Sequence, residues 1–345
     1  MYIRHIDFSL YNQKLIHLLD SSSISNGLAS GKMGYCIYFY RLSRLLNNRH
    51  YESVAEKILC DLLPNIKNLN ALDLSNGLSG IGLGIDYLIK EKYVQGDINH
   101  ILRNVDDFIF AGLSYPQKQQ RITLLDITYL LVYLNVRLKD QKKGSEQEYL
   151  FKELIIQTIN SFYERIGLAF FEEPDTFTID YPLPLFLYVL SLAYKHDFYN
   201  NRIEKIIGEL SPKLLSILPT LHANRLFFIW GMNSIQKVIN RKDWDDHILF
   251  LANTLNMELI VTDELRDKSI FLKDGLTGIY LIAEGMENNF SYPKKISEFK
   301  KKILSKISRS QVWEMMNTET YFSKKAGLLD GYCGVSLLLQ TISHT

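Results

Sequence analysis

Four short copies of one pattern constrain this chain more than anything else in it: Gly31-Lys32-Met33-Gly34, Gly77-Leu78-Ser79-Gly80, Gly275-Leu276-Thr277-Gly278 and Gly331-Tyr332-Cys333-Gly334. Each opens an apolar stretch, Tyr35 to Leu46, Ile81 to Ile89, Ile279 to Ala283 and Val335 to Leu339. Repetition at a fixed period turns a list of helices into one architecture. The first two copies lie 46 residues apart and the first and last 300 apart, which leaves room for six to seven intervals and hence seven copies. Apolar helical runs without the second glycine stand where the missing three belong: Leu124 to Leu138, Tyr181 to Tyr194, and Leu226 to Ile239 with Trp230-Gly231.

Between these runs lie segments with a one-sided apolar stripe, such as Val54, Ile58 and Leu62, or Ile98, Ile101, Leu102, Val105, Phe108 and Ile109. Others are Leu150 to Ile166, Ile203 to Ile217, Trp244 to Leu255 and Ile296 to Ile307. A helix apolar all round is buried, and one with a polar face meets water. With Leu10 to Leu19 as the first outer member, the pattern predicts seven inner and seven outer helices in one closed domain spanning residues 1–345. The glycines at inner-helix starts either permit a close approach of many helix ends or supply a turn with positive φ. Only 8 prolines in 345 residues favour long helices over turn-rich β structure.

Charge excludes some functions. The 39 Lys and Arg nearly balance 38 Asp and Glu, giving +1, so nothing points to nucleic acid. The start of the chain, Met1 to Asp7, carries charge where a secretory signal needs an apolar run. The longest uncharged apolar stretch, Tyr181 to Tyr194, is 14 residues, short of the roughly 18 to 20 a membrane span requires. Cys36, Cys60 and Cys333 are too few and scattered for a disulfide framework. A reduced cytoplasmic setting without membrane insertion is expected.

The Gly-x-x-Gly copies at this spacing resemble the lanthionine synthetase C-like (LanC-like) family over essentially the whole chain. The resemblance implies an all-α fold, an α/α toroid of seven inner and seven outer helices. It also implies an activity in lanthipeptide maturation, in which a zinc ion binds a peptide thiol as thiolate for addition to a dehydrated residue. The family's zinc is held by a Cys in the fifth repeat and a Cys-His pair before the Gly of the sixth, because thiolate activation at neutral pH needs the metal. Here the pair falls on Lys273 and Asp274, and the fifth-repeat position on Leu226 or Ile229. The family zinc site is therefore expected not to be retained, with no metal cofactor. The family's fourth-repeat His aligns with Tyr181, a poorer proton shuttle, and its third-repeat Asp with Asp126.

The reading that follows is a degenerate relative, a non-catalytic scaffold for a precursor peptide or for the peptide-modifying enzyme, with Lys273, Asp274, Asp73 and Asp330 as rim residues that bind, or that only cap the helices. Two alternatives stay open. One is thioether formation or another addition without zinc, through Tyr181, Asp126 and Asp274. The other is an α/α barrel acting on glycans with paired carboxylates such as Asp126, Asp180 and Asp274, a class that usually has six hairpins rather than seven. Cys36 and Cys333, in repeats that become neighbours on closure, are either a thiol pair or two small buried hydrophobes, the second reading being favoured. None of the eight histidines shows ligand spacing, and the basic run from Lys294 to Arg309 reads as a solvated face or an attractor for an acidic leader peptide. Substrate identity and oligomeric state are not legible.

Overall fold

Alternating polarity along the chain becomes alternating helices. The computed structural model describes residues 6–21, 24–69, 71–115, 120–286 and 293–344; residues 1–5 and the side chain of Lys294 lie outside the described set. Among the described residues, fourteen long helices carry the architecture. The odd-numbered ones are α1 (Phe8–Ser21), α3 (Arg49–Leu62), α5 (Arg103–Leu113), α7 (Glu146–Glu164), α9 (Asn200–Leu214), α11 (Lys242–Asn253) and α13 (Pro293–Arg309). The even-numbered ones are α2 (Lys32–Leu46), α4 (Leu78–Lys90), α6 (Leu124–Leu138), α8 (Pro182–Tyr194), α10 (His222–Gln236), α12 (Leu276–Met286) and α14 (Tyr332–His344).

The even helices are the predicted inner set. On α2 the run Met33 to Tyr40 is buried without a break, and α8 and α10 are nearly as enclosed. The odd helices bury one stripe: only Ala55, Ile58 and Leu62 on α3, and Trp244 and Leu251 on α11. Each fully buried Leu, Ile or Phe contributes about 1.5–3 kcal/mol, so the even helices supply most of the cohesion. No helix among the described residues is long and apolar enough to cross a membrane.

The chain divides into two compact units. One comprises Met1–Ile109, Leu265–Tyr280 and Lys300–Thr345; the other comprises Phe110–Glu264 and Leu281–Phe299. The first therefore brings together the opening and closing repeats. In it, four loops share one conformation. The amide after the first glycine donates back to the carbonyl seven residues earlier: Lys32 to Ser25 at 2.8 Å, Leu78 to Ala71 at 2.9 Å, Leu276 to Ser269 at 2.8 Å and Tyr332 to Lys325 at 2.7 Å.

This seven-residue fold-back explains the glycines. A Cβ on Gly31 or Gly77 would stand 2.6 Å from the carbonyl oxygen of Ser25 or Ala71, and one on Gly34, Gly80 or Gly334 would overlap the carbonyl oxygen of Leu28, Leu74 or Leu328. Their φ values are ordinary: Gly31 is at −118° and Gly77 at −103°. Of the two reasons the sequence offered, close approach is the operative one.

The loops also hand over to one another by a repeated contact. The residue two before the first glycine donates its amide to the carbonyl of its counterpart in the next repeat: Lys273 to Leu329 at 2.7 Å, Leu329 to Ala29 at 3.1 Å, and Ala29 to Ser75 at 3.3 Å. The last repeat stands to the first as the first stands to the second. Buried side chains seal this junction. Asn12 Oδ1 of α1 accepts from the Tyr38 hydroxyl of α2 at 2.5 Å and the Tyr332 hydroxyl of α14 at 2.8 Å, while Ser336 Oγ lies 3.0 Å from Tyr38.

In the second unit, α6, α8 and α10 pack side by side. Gly231 serves there as a contact glycine, since a Cβ would approach Pro184 Cα of α8 to 2.7 Å. The decayed repeats thus keep a close inner-helix crossing through a single glycine.

Candidate functional site

The fold-back loops of the first unit carry the polar residues singled out at the rim. Asp330 precedes Gly331 and accepts from Ser30 Oγ at 2.7 Å, so the seventh and first loops are joined by side chains as well as by backbone. Asp73 closes its own loop, Oδ1 accepting from the Asn76 amide at 2.7 Å. Lys273 is half-buried and its amide is committed to Leu329, while the neighbouring Asp274 is exposed and acts electrostatically on Tyr321. Lys273, Asp274 and Asp330 therefore sit on adjoining loops, and Asp73 lies two loops further along. The inner helices α2 and α4 begin at Gly31 and Gly77, with no side-chain cap on either, so Asp73 organises its loop rather than capping the helix.

Asp126 and Tyr181 belong to the second unit and are not hydrogen-bonded to each other. Asp126 is in the first turn of α6, where its carboxylate accepts from Thr123 Oγ1 at 2.6 Å and its amide donates back to the same oxygen at 3.1 Å. Thr123 is thus the N-cap of α6, and the Asp126 carboxylate holds the capping hydroxyl in place. Tyr181 starts α8, fully buried, and its hydroxyl has no hydrogen-bond partner among the described residues. Burial, and then the Glu173 carboxylate, push its pKa far above the ordinary tyrosine value, so it holds its proton throughout the neutral range. The neighbouring Asp180 accepts from Tyr129 at 2.6 Å.

Two residues absent from the sequence reading dominate the start of α10. Glu173 accepts from the amides of Thr220 at 2.6 Å and Leu221 at 2.8 Å, and Glu264 accepts from His222 at 2.6 Å and Ala223 at 2.8 Å. Two carboxylates thus satisfy four of the amides at and just before the start of one helix, where negative charge also meets the favourable end of the helix dipole. Their distance along the chain, 48 residues from Glu173 to Leu221 and 42 from His222 to Glu264, hides them from any local motif.

The thiols are not poised for chemistry. Cys36 and Cys333 are free and buried, and burial raises both pKa values well above the ordinary thiol range. They start neighbouring inner helices, but Cys36 Sγ turns to the Ala55 carbonyl of α3 at 3.6 Å. Both behave as small hydrophobes. Cys60 is exposed on α3.

A zinc of the kind the resemblance implies asks for two thiolates and an imidazole. Lys273 offers an ammonium and Asp274 one exposed carboxylate, while both fifth-repeat alternatives, Leu226 and Ile229, are buried aliphatic side chains on α10. Among the described residues no three of His, Cys, Asp and Glu group in a way that could hold a metal ion. The residues at these positions do not fit that zinc.

Neither a family model nor a curated protein sequence matches the chain. Among solved structures it is similar to a nisin cyclase, with a TM-score of 0.68 over 98% of this chain and 94% of that chain at 13% identity. At that identity the likeness concerns the fold. The chain has the LanC-like α/α toroid fold, with seven inner and seven outer helices rather than the six hairpins expected of a glycan-active barrel.

Proposed function

We propose that this chain is a degenerate LanC-like protein, one toroid domain over residues 1–345, that binds a precursor peptide or the enzyme modifying it without running zinc-dependent cyclisation. One observation carries the reading: the glycine loops keep a strict repeated geometry, while the residues they present at the family's metal positions are Lys273 and Asp274. Without thiolate ligands and an open coordination position, a peptide thiol with an ordinary pKa near 8.5 is mostly protonated at neutral pH, and its addition to a dehydrated residue loses its main driving device. The chain's own groups do not substitute for the metal. Tyr181 keeps its proton and faces no acceptor among the described residues, and the Asp126 carboxylate is taken up by the Thr123 hydroxyl that caps α6.

What remains for the rim is recognition. Lys273, Asp274, Asp330 and Asp73 place an ammonium and three carboxylates on loops whose backbones are mutually fixed, a surface that can grip a polar chain without ordering costs of its own. The three free thiols are compatible with work in the reducing cytoplasm.

The test is incubation of the purified chain with a dehydrated, cysteine-containing precursor peptide, following free thiol by alkylation and mass spectrometry. The thiol is expected to stay fully alkylatable. Its loss without any change in peptide mass would establish cyclisation and favour the alternative of a zinc-free addition using Tyr181, Asp126 and Asp274. In that case Tyr181→Phe and Asp274→Asn would separate the contributions.

A further inference from the structure

His222, the first residue of α10, is fastened twice to one short segment of the second unit. Its backbone amide donates to Glu264 Oε1 at 2.6 Å, and its ring Nδ1 accepts from the Asn256 amide at 3.2 Å. Asn256 and Glu264 are the two ends of a strap that follows α11 as a short helix, Met257–Leu259, continued by the π-helical turn Ile260–Glu264. The two ends are held unequally. Ile260, Val261 and Leu265 are buried, and Glu264 also accepts from the Ala223 amide at 2.8 Å, so the far end is anchored by packing as well. Asn256, Glu258 and Leu259 are exposed, and the Asn256 side chain accepts from the amides of Glu258 and Leu259 within the strap itself. A segment with little buried surface opens at low free energy. The near end therefore depends on the His222 ring far more than the far end does.

The bond itself fixes the state of the ring. A backbone amide can only donate, so Nδ1 carries no hydrogen and the neutral imidazole holds its hydrogen on Nε2. Burial and then the Arg225 guanidinium of α10 favour this neutral form, while the Glu264 carboxylate opposes them. Of the other neighbours, Glu173 is taken up by the amides of Thr220 and Leu221, His247 of α11 faces the Ile217 carbonyl, and Glu258 and Asp263 of the strap are exposed.

We propose that His222 is a latch sensitive to mild acid: a proton on Nδ1 removes the acceptor of the Asn256 amide and sets one N–H against another, so residues 256–259 come away from the start of α10 while Glu264 keeps its end in place. Closing the latch weakens the hold of the ring on a proton, so acid favours the open form. The strap is closed at neutral pH and opens progressively below about pH 6.5, the ordinary histidine value. This device goes beyond the peptide-binding reading and does not depend on it.

Hydrogen exchange of the full chain, read by mass spectrometry at pH 7 and pH 5 and corrected for the intrinsic pH dependence of exchange, tests the latch. Protection over residues 256–259 is expected to fall about fivefold relative to that of α8, as the loss of one hydrogen bond allows. His222→Asn offers an amide oxygen near the position of Nδ1 and has no proton to gain, so its strap should keep the same protection relative to α8 at both pH values. His222→Phe has no acceptor and should show the loosened strap already at pH 7; where that variant fails to fold, His222→Asn carries the test. Wild-type protection that does not change, equal loosening of the strap and α8, a pH-dependent strap in His222→Asn, or a folded His222→Phe as protected as the wild type at pH 7 overturns the proposal.

Discussion

Two glycines show how differently one residue type acts within this chain. Gly34 faces the Leu28 carbonyl so closely that a methyl group has nowhere to go, and Leu328 Cβ stands 3.0 Å away on the other side. Gly208, inside α9, has open space where its Cβ would be. Gly34→Ala is therefore expected to destabilise by about 3 kcal/mol, the upper end for overpacking because a backbone oxygen yields less than a side chain. Gly208→Ala should stabilise by about 0.5–1 kcal/mol, since a helix interior gains from the lost backbone freedom of glycine. Urea unfolding of the two variants checks both signs. At Tyr181, removal of a buried hydroxyl without a partner relieves a desolvation cost, so Tyr181→Phe should raise stability by about 1 kcal/mol in the same experiment. A loss of stability would mean that the hydroxyl has a partner.

At the scale of helices and loops, the sequence was most legible where geometry leaves chemical marks. The four Gly-x-x-Gly segments announced the fold-back loops because a carbonyl occupies the Cβ position, and the seven inner helices followed from their period. A further mark lies in the same loops: Leu28, Leu74, Leu272 and Leu328 each stand three before the first glycine. Leu28, Leu272 and Leu328 each place Cβ 2.9–3.5 Å from where a Cβ on the second glycine of the next repeat would be. Glu173 and Glu264 were illegible for a physical reason, since each caps α10 from about one repeat away and neither has a local signature. The same holds for histidines. His196, His222 and His247 look unremarkable in sequence, yet burial depresses the pKa of each, aided at His196 by Lys139 and at His222 by Arg225. The unfolded chain then binds more protons than the folded one as pH falls through the unfolded histidine value of about 6.5. Their contribution is complete above that pH and is lost progressively below it. Denaturant midpoints should fall between pH 7 and pH 5, and the slope should flatten in His196→Asn; a midpoint constant over this range contradicts the assignment.

For the molecule as a whole, the repeated handover between loops matters most. Lys273 to Leu329, Leu329 to Ala29 and Ala29 to Ser75 are one relation used three times, and its middle instance joins the two ends of the chain. Asn12, almost fully buried, holds the hydroxyls of Tyr38 and Tyr332 at that junction. Asn12→Ala removes the shortest acceptor of each, leaving Ser336 Oγ for Tyr38 and the Phe8 carbonyl for Tyr332, and should cost about 1–2 kcal/mol, with hydrogen exchange accelerating in α1 and α14 ahead of α8 and α10. Uniform acceleration would indicate that the junction is not a distinct element of stability. In the first unit the handover between loops is made by backbone groups and does not itself call for a metal at Lys273 and Asp274, in keeping with the zinc-free reading proposed above. Zinc content of the purified chain, measured by plasma mass spectrometry after equilibration with zinc and removal of loose ions, tests this most directly. The expected result is far less than one zinc per chain; one zinc per chain, lost on Asp274→Ala, would contradict it.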